Sequence, residues 1–224
     1  MAAAAIPPLE SGDRLTRREF ERRYNAMPYV KKAELIEGVV YMPSPVHLKS
    51  HAVPHGHIIG WLAAYSAATP GTQLADNATV HLDADNEVQP DALLWIDVPP
   101  GGESRISEDD YLAGAPDLIV EIAASSAAYD LHDKLRAYRR NGVQEYVVWQ
   151  VYDKKVDWFE LLEGEYTPLT ADENGVMRSR ILPGLHLAVP ALLDGDLAAV
   201  LAELQKGLAA AEHSTFVERL GSKR

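Results

Sequence analysis

The 224 residues carry 33 Asp and Glu against 21 Lys and Arg, a formal net charge of −12, and no cysteine. Disulfides and thiolate metal sites are therefore excluded, and the acidity argues against a general electrostatic grip on nucleic acid, which rests on neutralising phosphates. No run approaches the ~20 apolar residues of a membrane span, and the start "MAAAAIPPLESGDRL" lacks the basic and apolar regions of a signal peptide, so the expectation is a soluble, cytoplasmic protein with no membrane partner.

Residues 1–12 are rich in Ala and Pro and are expected to form a flexible N-terminus. In "LTRREF", Thr16 and Glu19 have capping-box spacing, with Leu15 and Phe20 placed as a hydrophobic staple, so a helix should run to about Ala26. Charge is uneven here: Ser11 to Lys32 holds seven Arg or Lys against three acids, which reads as a solvated helix face or a local basic face. "KAELIEGVVYMPS" reads as two strands about a Glu37–Gly38 turn, stopped by Pro43 and Pro45. A second helix is expected from Val53 to Ala68, ended by Pro70–Gly71. "ATVHLD" and "PDALLWID" read as strands, "PPGGES" as a loop, and Ser107–Ala113 as a short capped helix.

"DLIVEIA" is the most core-like strand. A strong helix from about Ser126 to Asn141 follows, closed by Gly142, and then the apolar strand "EYVVWQV". "KVDWFELL" and "EYTPLT" form an antiparallel meander, whose Trp158, Phe159 and Tyr166, with Trp149, are expected to pack rather than stack on bases. A helical tail begins at Asp196; its stripe of Leu197, Val200, Leu201 and Leu204 is suited to docking on this domain or a second subunit. The order of elements implies an α/β (α+β) fold, a central mixed β-sheet flanked by helices, with a β meander and a helical tail. The expected organisation is a flexible 1–12, a main domain over 13–193 and a C-terminal helical extension over 194–224.

Two acids occupy unusual places. Asp91 opens the apolar strand Ala92–Ile96, and Glu121 ends the apolar run Leu118–Val120, where an acid is locally costly. If the strands are neighbours, the carboxylates repel unless one takes a proton or a cation sits between them, and a hard ion with oxygen ligands, Mg²⁺ or Mn²⁺, resolves the conflict. Asp130, Lys134 and Tyr138 follow at i, i+4, i+8 on one helix face, so Lys134 can reach the same place. The bland alternatives are a strand-starting Asp and a surface ion pair. His51 and His55 have the i,i+4 spacing of a zinc pair, but Pro54 between them marks a helix start that leaves His51 outside.

The ordered set "ELIEG", "HGHIIGWL", "QPDALL", "GAPDLIVEIAASSAAYDLHDKLRAYRRNGVQEYVVW" and "LPGLHL" resembles the Uma-type family of putative restriction endonucleases, within the PD-(D/E)xK nuclease superfamily, from about Leu15 to Leu193. The resemblance implies a restriction-endonuclease-like core and a metal-dependent DNA endonuclease that acts as a homodimer. Asp91 and Glu121 would be catalytic metal ligands, with the carbonyl of Ile122 as a third. The superfamily lysine two residues after the acid is Ala123 here, and Lys134, in a "DLxxKLxxY" pattern, stands in the replacing position. Glu34 matches an early acid that can join the metal shell, and His55 a position at the helix start; Asp130 and Tyr138 complete the candidate set. The competing reading is a nuclease fold without catalysis, serving as a DNA- or protein-binding or regulatory module.

Overall fold

The computed structural model describes residues 5–42, 47–97, 104–124 and 126–222. Thr16 caps α1 (Arg17–Tyr24) by accepting from the Glu19 N–H. The reciprocal half of the capping box does not form, because the Glu19 carboxylate is taken by Arg22 and Arg23 one turn on. β1 (Glu34–Ile36) and β2 (Val39–Tyr41) pair through a turn with positive φ at both Glu37 and Gly38, the backbone twist a two-residue hairpin needs. The expected stops at Pro43 and Pro45 lie outside the described residues.

A π-helical turn over Leu48–Ala52 runs directly into α2 (Val53–Ala68), the span read from the sequence. His51 is thus helical, not outside; Pro54 lacks a donor only where the first turn of α2 needs none. β3 (Thr72–Asp76), β4 (Val80–His81), β5 (Glu87–Val88) and β6 (Ala92–Ile96) follow. Most of the loop 99–104 is outside the described residues. The short helix expected at 107–113 is instead a hairpin, β7 (Arg105–Ile106) and β8 (Leu112–Ala113): Asp110 adopts positive φ and Leu112 is drawn into the parallel pairing with Val80.

β9 (Leu118–Ala123) extends three residues past Val120, so Glu121 lies inside the strand rather than at its end. The following helix is continuous in path but not in pitch: α3 (Ala127–Tyr129), a π-helical turn over Asp130–Lys134, then α4 (Leu135–Arg140). β10 (Glu145–Gln150), β11 (Lys155–Leu162) and β12 (Glu165–Pro168) are the expected strand and meander. The hairpin β13 (Val176–Arg178) and β14 (His186–Ala188), the short α5 (Val189–Leu193), α6 (Leu197–Leu208) and α7 (Ala211–Gly221) complete the chain.

The main sheet has the order β12-β11-β10-β9-β6-β3, with only β9 and β10 parallel; the smaller has the order β2-β1-β5-β4-β8-β7. Side chains alternate across β9. Leu118, Val120 and Ile122 join a core with Trp61, Leu62, Val200, Leu204 and Phe216, which seats α2, α6 and α7 on one face. Ile119 and Ala123 join Val80, Val88, Tyr138 and Tyr146 on the other, under the π-kinked helix and the smaller sheet. Glu121 shares this second face.

The seat of α6 is tight. A Cβ on Gly207 would collide with the backbone carbonyl of Gly184 and press on the His186 ring, next to the carbonyl that accepts from Trp61 Nε1 at 2.8 Å. Gly207→Ala is expected to lower stability by roughly 1–3 kcal/mol, measured by urea unfolding. Glu145 gives a second expectation. Burial pushes its carboxyl up to about 7, against the pull of the Arg180 N–H, Trp158 Nε1 and the Ile181 N–H. The folded state then holds a proton the unfolded state has lost, so this group's contribution falls as pH rises from about 4.5 to about 7. Glu145→Gln is expected to gain stability relative to the parent between pH 5 and pH 8, read by denaturant unfolding at both.

Candidate metal and catalytic centre

β6 and β9 pair antiparallel, Ala92 opposite Val120. One step further, Asp91 stands across from Glu121, and cross-strand partners project to the same face. Asp91 is anchored by an Ile122 N–H that donates to its Oδ2 at 2.8 Å, His51 Nε2 lies 3.2 Å from the same oxygen, and Lys32 Nζ is 3.5 Å from Oδ1. Burial alone would raise its carboxyl, but His51, Lys32 and the Ile122 N–H together hold it well below the usual carboxylate range. His55 is adjacent, with Nε2 2.8 Å from the Asp91 carbonyl oxygen and 3.1 Å from Asp76 Oδ1. The two imidazoles thus meet different atoms of Asp91, and among the described residues they belong to no group of three side chains close enough to share a metal.

Glu121 meets a different set. Its Oε1 accepts from Lys134 Nζ at 2.8 Å and from the Tyr138 hydroxyl at 2.9 Å. Lys134 Nζ also lies 3.2 Å from Glu34 Oε2 and 3.8 Å from Asp130 Oδ1. Glu34 is held by the Gln89 N–H at 2.9 Å and Asp130 by the Ser126 hydroxyl at 2.6 Å. All five ionisable side chains, Asp91 included, are at most 4% exposed. Burial pushes the Glu121 carboxyl up, and Asp91, Asp130 and Glu34 add to this against the opposing Lys134. Burial likewise raises Asp130, partly offset by Lys134. For Lys134, burial disfavours the ammonium, but Glu121, Glu34 and Asp130 outweigh it and keep the group charged.

The π-helical turn explains how one helix serves all three contacts. In a regular α-helix, residues at i, i+4 and i+8 drift round the axis by roughly 40° per step. An i→i+5 turn spends one more residue per revolution and takes up that drift. Lys134 and Tyr138 consequently meet on Glu121, and Asp130 faces Lys134.

Every candidate residue named from the sequence is therefore found in one neighbourhood: Asp91, Glu121, Ile122 and Lys134, with Glu34, Asp130 and Tyr138 around Lys134 and His55 on the Asp91 backbone. Sequence reasoning missed Lys32 and gave His51 only a zinc role. The basic run ending at Lys32 and the i,i+4 relation of His51 to His55 were the available signals. It also missed Tyr129, whose ring lies under Lys134 Nζ at 5.5 Å and whose buried hydroxyl has no hydrogen-bond partner among the described residues.

The donors suit a hard ion. Asp91, Glu121, Glu34 and Asp130 offer only oxygen, and when ionised their four charges exceed those of Lys134 and Lys32 by two. Among the described residues, the three ligand-type side chains whose atoms lie within 4.8 Å of one another are elsewhere, at Glu21, His81 and Glu87. At the carboxylate cluster the ammonium of Lys134 stands among the acids instead.

The model of the Uma2 family, described as "Putative restriction endonuclease", matches residues 18–190. The chain belongs to this nuclease family. No curated protein matches it. A crystal structure titled as a putative nuclease belonging to DUF820 from Anabaena variabilis ATCC 29413 is similar in fold, with a TM-score of 0.56 at 14% identity, over 78% of this chain and 97% of that one. Membership covers both main-sheet strands that carry Asp91 and Glu121 and the helix that carries Lys134. Among the described residues of this family member, no helix is long and apolar enough to cross a membrane.

Removing the lysine should expose the cost of the buried acids. Lys134→Met is expected to destabilise the fold by about 3–5 kcal/mol, because breaking a buried pair leaves the remaining charge uncompensated. Adding Glu121→Gln should recover part of that loss, a coupling measurable by a double-mutant cycle in urea.

Proposed function

We propose that this protein is a DNA endonuclease that hydrolyses phosphodiester bonds with a hard divalent cation, Mg²⁺ or Mn²⁺, held by Asp91 and Glu121 with the Ile122 carbonyl as a further oxygen. The observation that carries the reading is the gathering of four buried acids, Glu34, Asp91, Glu121 and Asp130, beside a single buried lysine in a chain of a nuclease family. A cation there offsets the burial and the repulsion that raise Glu121. When bound, the ion polarises the scissile phosphate and makes water a competent nucleophile near neutral pH.

The side chains divide the remaining work. Asp91, kept ionised by His51, Lys32 and the Ile122 N–H, is a ligand ready at any physiological pH. Lys134 stands in for the lysine that Ala123 replaces. Its ammonium is fixed by Glu34 and Asp130, so it can orient the attacking water or offset charge building on the phosphate without moving. Tyr138 holds Glu121 in one rotamer. His55, through the Asp91 carbonyl, sets the approach of α2 to the strand end. Cutting both strands of a duplex calls for two such centres, so the working unit is a homodimer in the cytoplasm.

The second reading, a nuclease fold that binds DNA or a protein without cutting, is favoured by one observation. Lys134 already neutralises Glu121 through a 2.8 Å ion pair, so the acid is not left bare without a metal. Nicking of supercoiled plasmid separates the two. The parent protein is expected to nick with Mg²⁺ or Mn²⁺ and not with EDTA, while Asp91→Asn and Glu121→Gln fall by at least ~10²-fold with circular dichroism unchanged. Lys134→Arg should lose rate while keeping metal affinity. Absence of nicking by the parent with both ions, or equal nicking by folded Asp91→Asn, would favour the binding module.

A further inference from the structure

We propose that Glu21, His81 and Glu87 form a second divalent-cation site, built for a transition ion such as Zn²⁺, that clamps α1 onto the smaller sheet. The three residues come from three elements: Glu21 from α1, His81 from β4 and Glu87 from β5. One ligand atom from each lies within 4.8 Å of the others. His81 Nε2 is 3.5 Å from Glu87 Oε2 and 4.0 Å from Glu21 Oε1. Ligands on a tetrahedral zinc with bonds of about 2.1 Å stand roughly 3.4 Å apart, so His81 and Glu87 are already at ligand spacing and the exposed Glu21 carboxylate has to swing in by about 1 Å.

The second observation is an orphan. Glu87 is only 4% exposed, yet its Oε2 has no hydrogen-bond partner among the described residues. That oxygen is the one aimed at His81. A buried carboxylate oxygen without a donor is costly, and a metal is the partner that satisfies it together with an imidazole nitrogen. The facing charges do not fill the role. Arg17 Nε pairs with Glu21 Oε1 at 3.0 Å and spends its Nη1 on the Asp83 carbonyl at 2.9 Å. The Glu21 side chain is more than a third exposed and stands against Glu87, whose carboxyl is pushed up to about 7 by burial and by the Glu21 charge, so the two acids face one another without a cation between them. The donor set of one nitrogen and two carboxylate oxygens favours zinc and related ions over Mg²⁺, in contrast to the all-oxygen set around Glu121.

This site is separate from the nuclease centre. Leu35 pairs with Glu87 and joins the core beneath Phe20 of α1, whereas the neighbouring Val88 and Ile36 join the core under the π-kinked helix. Glu87 therefore faces α1, on the side of the smaller sheet away from Lys134. The ion would tie α1 to β4 and β5, beside the bond between Gln89 Nε2 and the Tyr24 hydroxyl.

The test keeps the two sites apart. Full-length protein carrying Asp91→Asn and Glu121→Gln, equilibrated with Zn²⁺ and desalted, is expected to retain about one equivalent by elemental analysis and to melt at a higher temperature than after EDTA. Adding His81→Gln should abolish both effects with circular dichroism unchanged, and Glu87→Gln serves as the second variant should the first not fold. Failure of the double variant to retain zinc, or equal retention after either added substitution, would overturn the proposal without bearing on the nuclease reading.

Discussion

A carboxylate inside the most buried strand of the main sheet is the constraint around which the rest is arranged. Glu121 is surrounded by Ile119, Ala123 and Tyr146 on its own face, and an ionised acid there without a partner would cost several kcal/mol. Lys134 answers it directly, but a lysine so deeply buried carries its own penalty, and Glu34 and Asp130 are needed to hold it charged. Their presence leaves more acids than lysines, and burial together with the neighbouring carboxylates pushes the Glu121 carboxyl up, a conflict that a divalent ion would relieve.

Backbone geometry does the positioning. The antiparallel register of β6 and β9 sets Asp91 opposite Glu121, and the Ile122 N–H fixes Asp91 Oδ2. Two π-helical turns flank this point, one presenting His51 to Asp91 and the other presenting Asp130 and Lys134 to Glu121. Widened turns give up regular hydrogen bonding, and such turns recur where helices must aim side chains at a site. The smaller sheet contributes Glu34 from one face and turns Glu87 and His81 toward α1 on the other, so one layer of structure carries two clusters of ionisable side chains.

Much of this was legible in the chain. Strong periodic segments such as Val53–Ala68 and the strand at Leu118 carried their own signals, and Glu121 announced itself because an acid interrupts an apolar run. The i, i+4, i+8 spacing placed Asp130, Lys134 and Tyr138 on one face, although the π-helical turn that perfects the alignment left no mark in the residue pattern. The hairpin at 105–113 was misread as a helix because strands of two residues are too short for alternation to register, and Leu112 is recruited by a partner thirty-two residues earlier. The three-residue strands of the β13–β14 hairpin escaped for a similar reason, and β3, polar at Thr72, Gln73 and Asp76, lacks an alternating apolar pattern. Lys32 and His51 were not linked to Asp91, since their convergence depends on how a loop and a helix start approach a distant strand.

The central claim is that Asp91 and Glu121 jointly hold a hard cation beside the Lys134 ammonium. Anomalous scattering from crystals soaked in Mn²⁺ tests it most directly. The account predicts a manganese peak in contact with carboxylate oxygens of both residues, with Lys134 still hydrogen-bonded within the cluster. Full occupancy by manganese elsewhere and none between these two acids would contradict it.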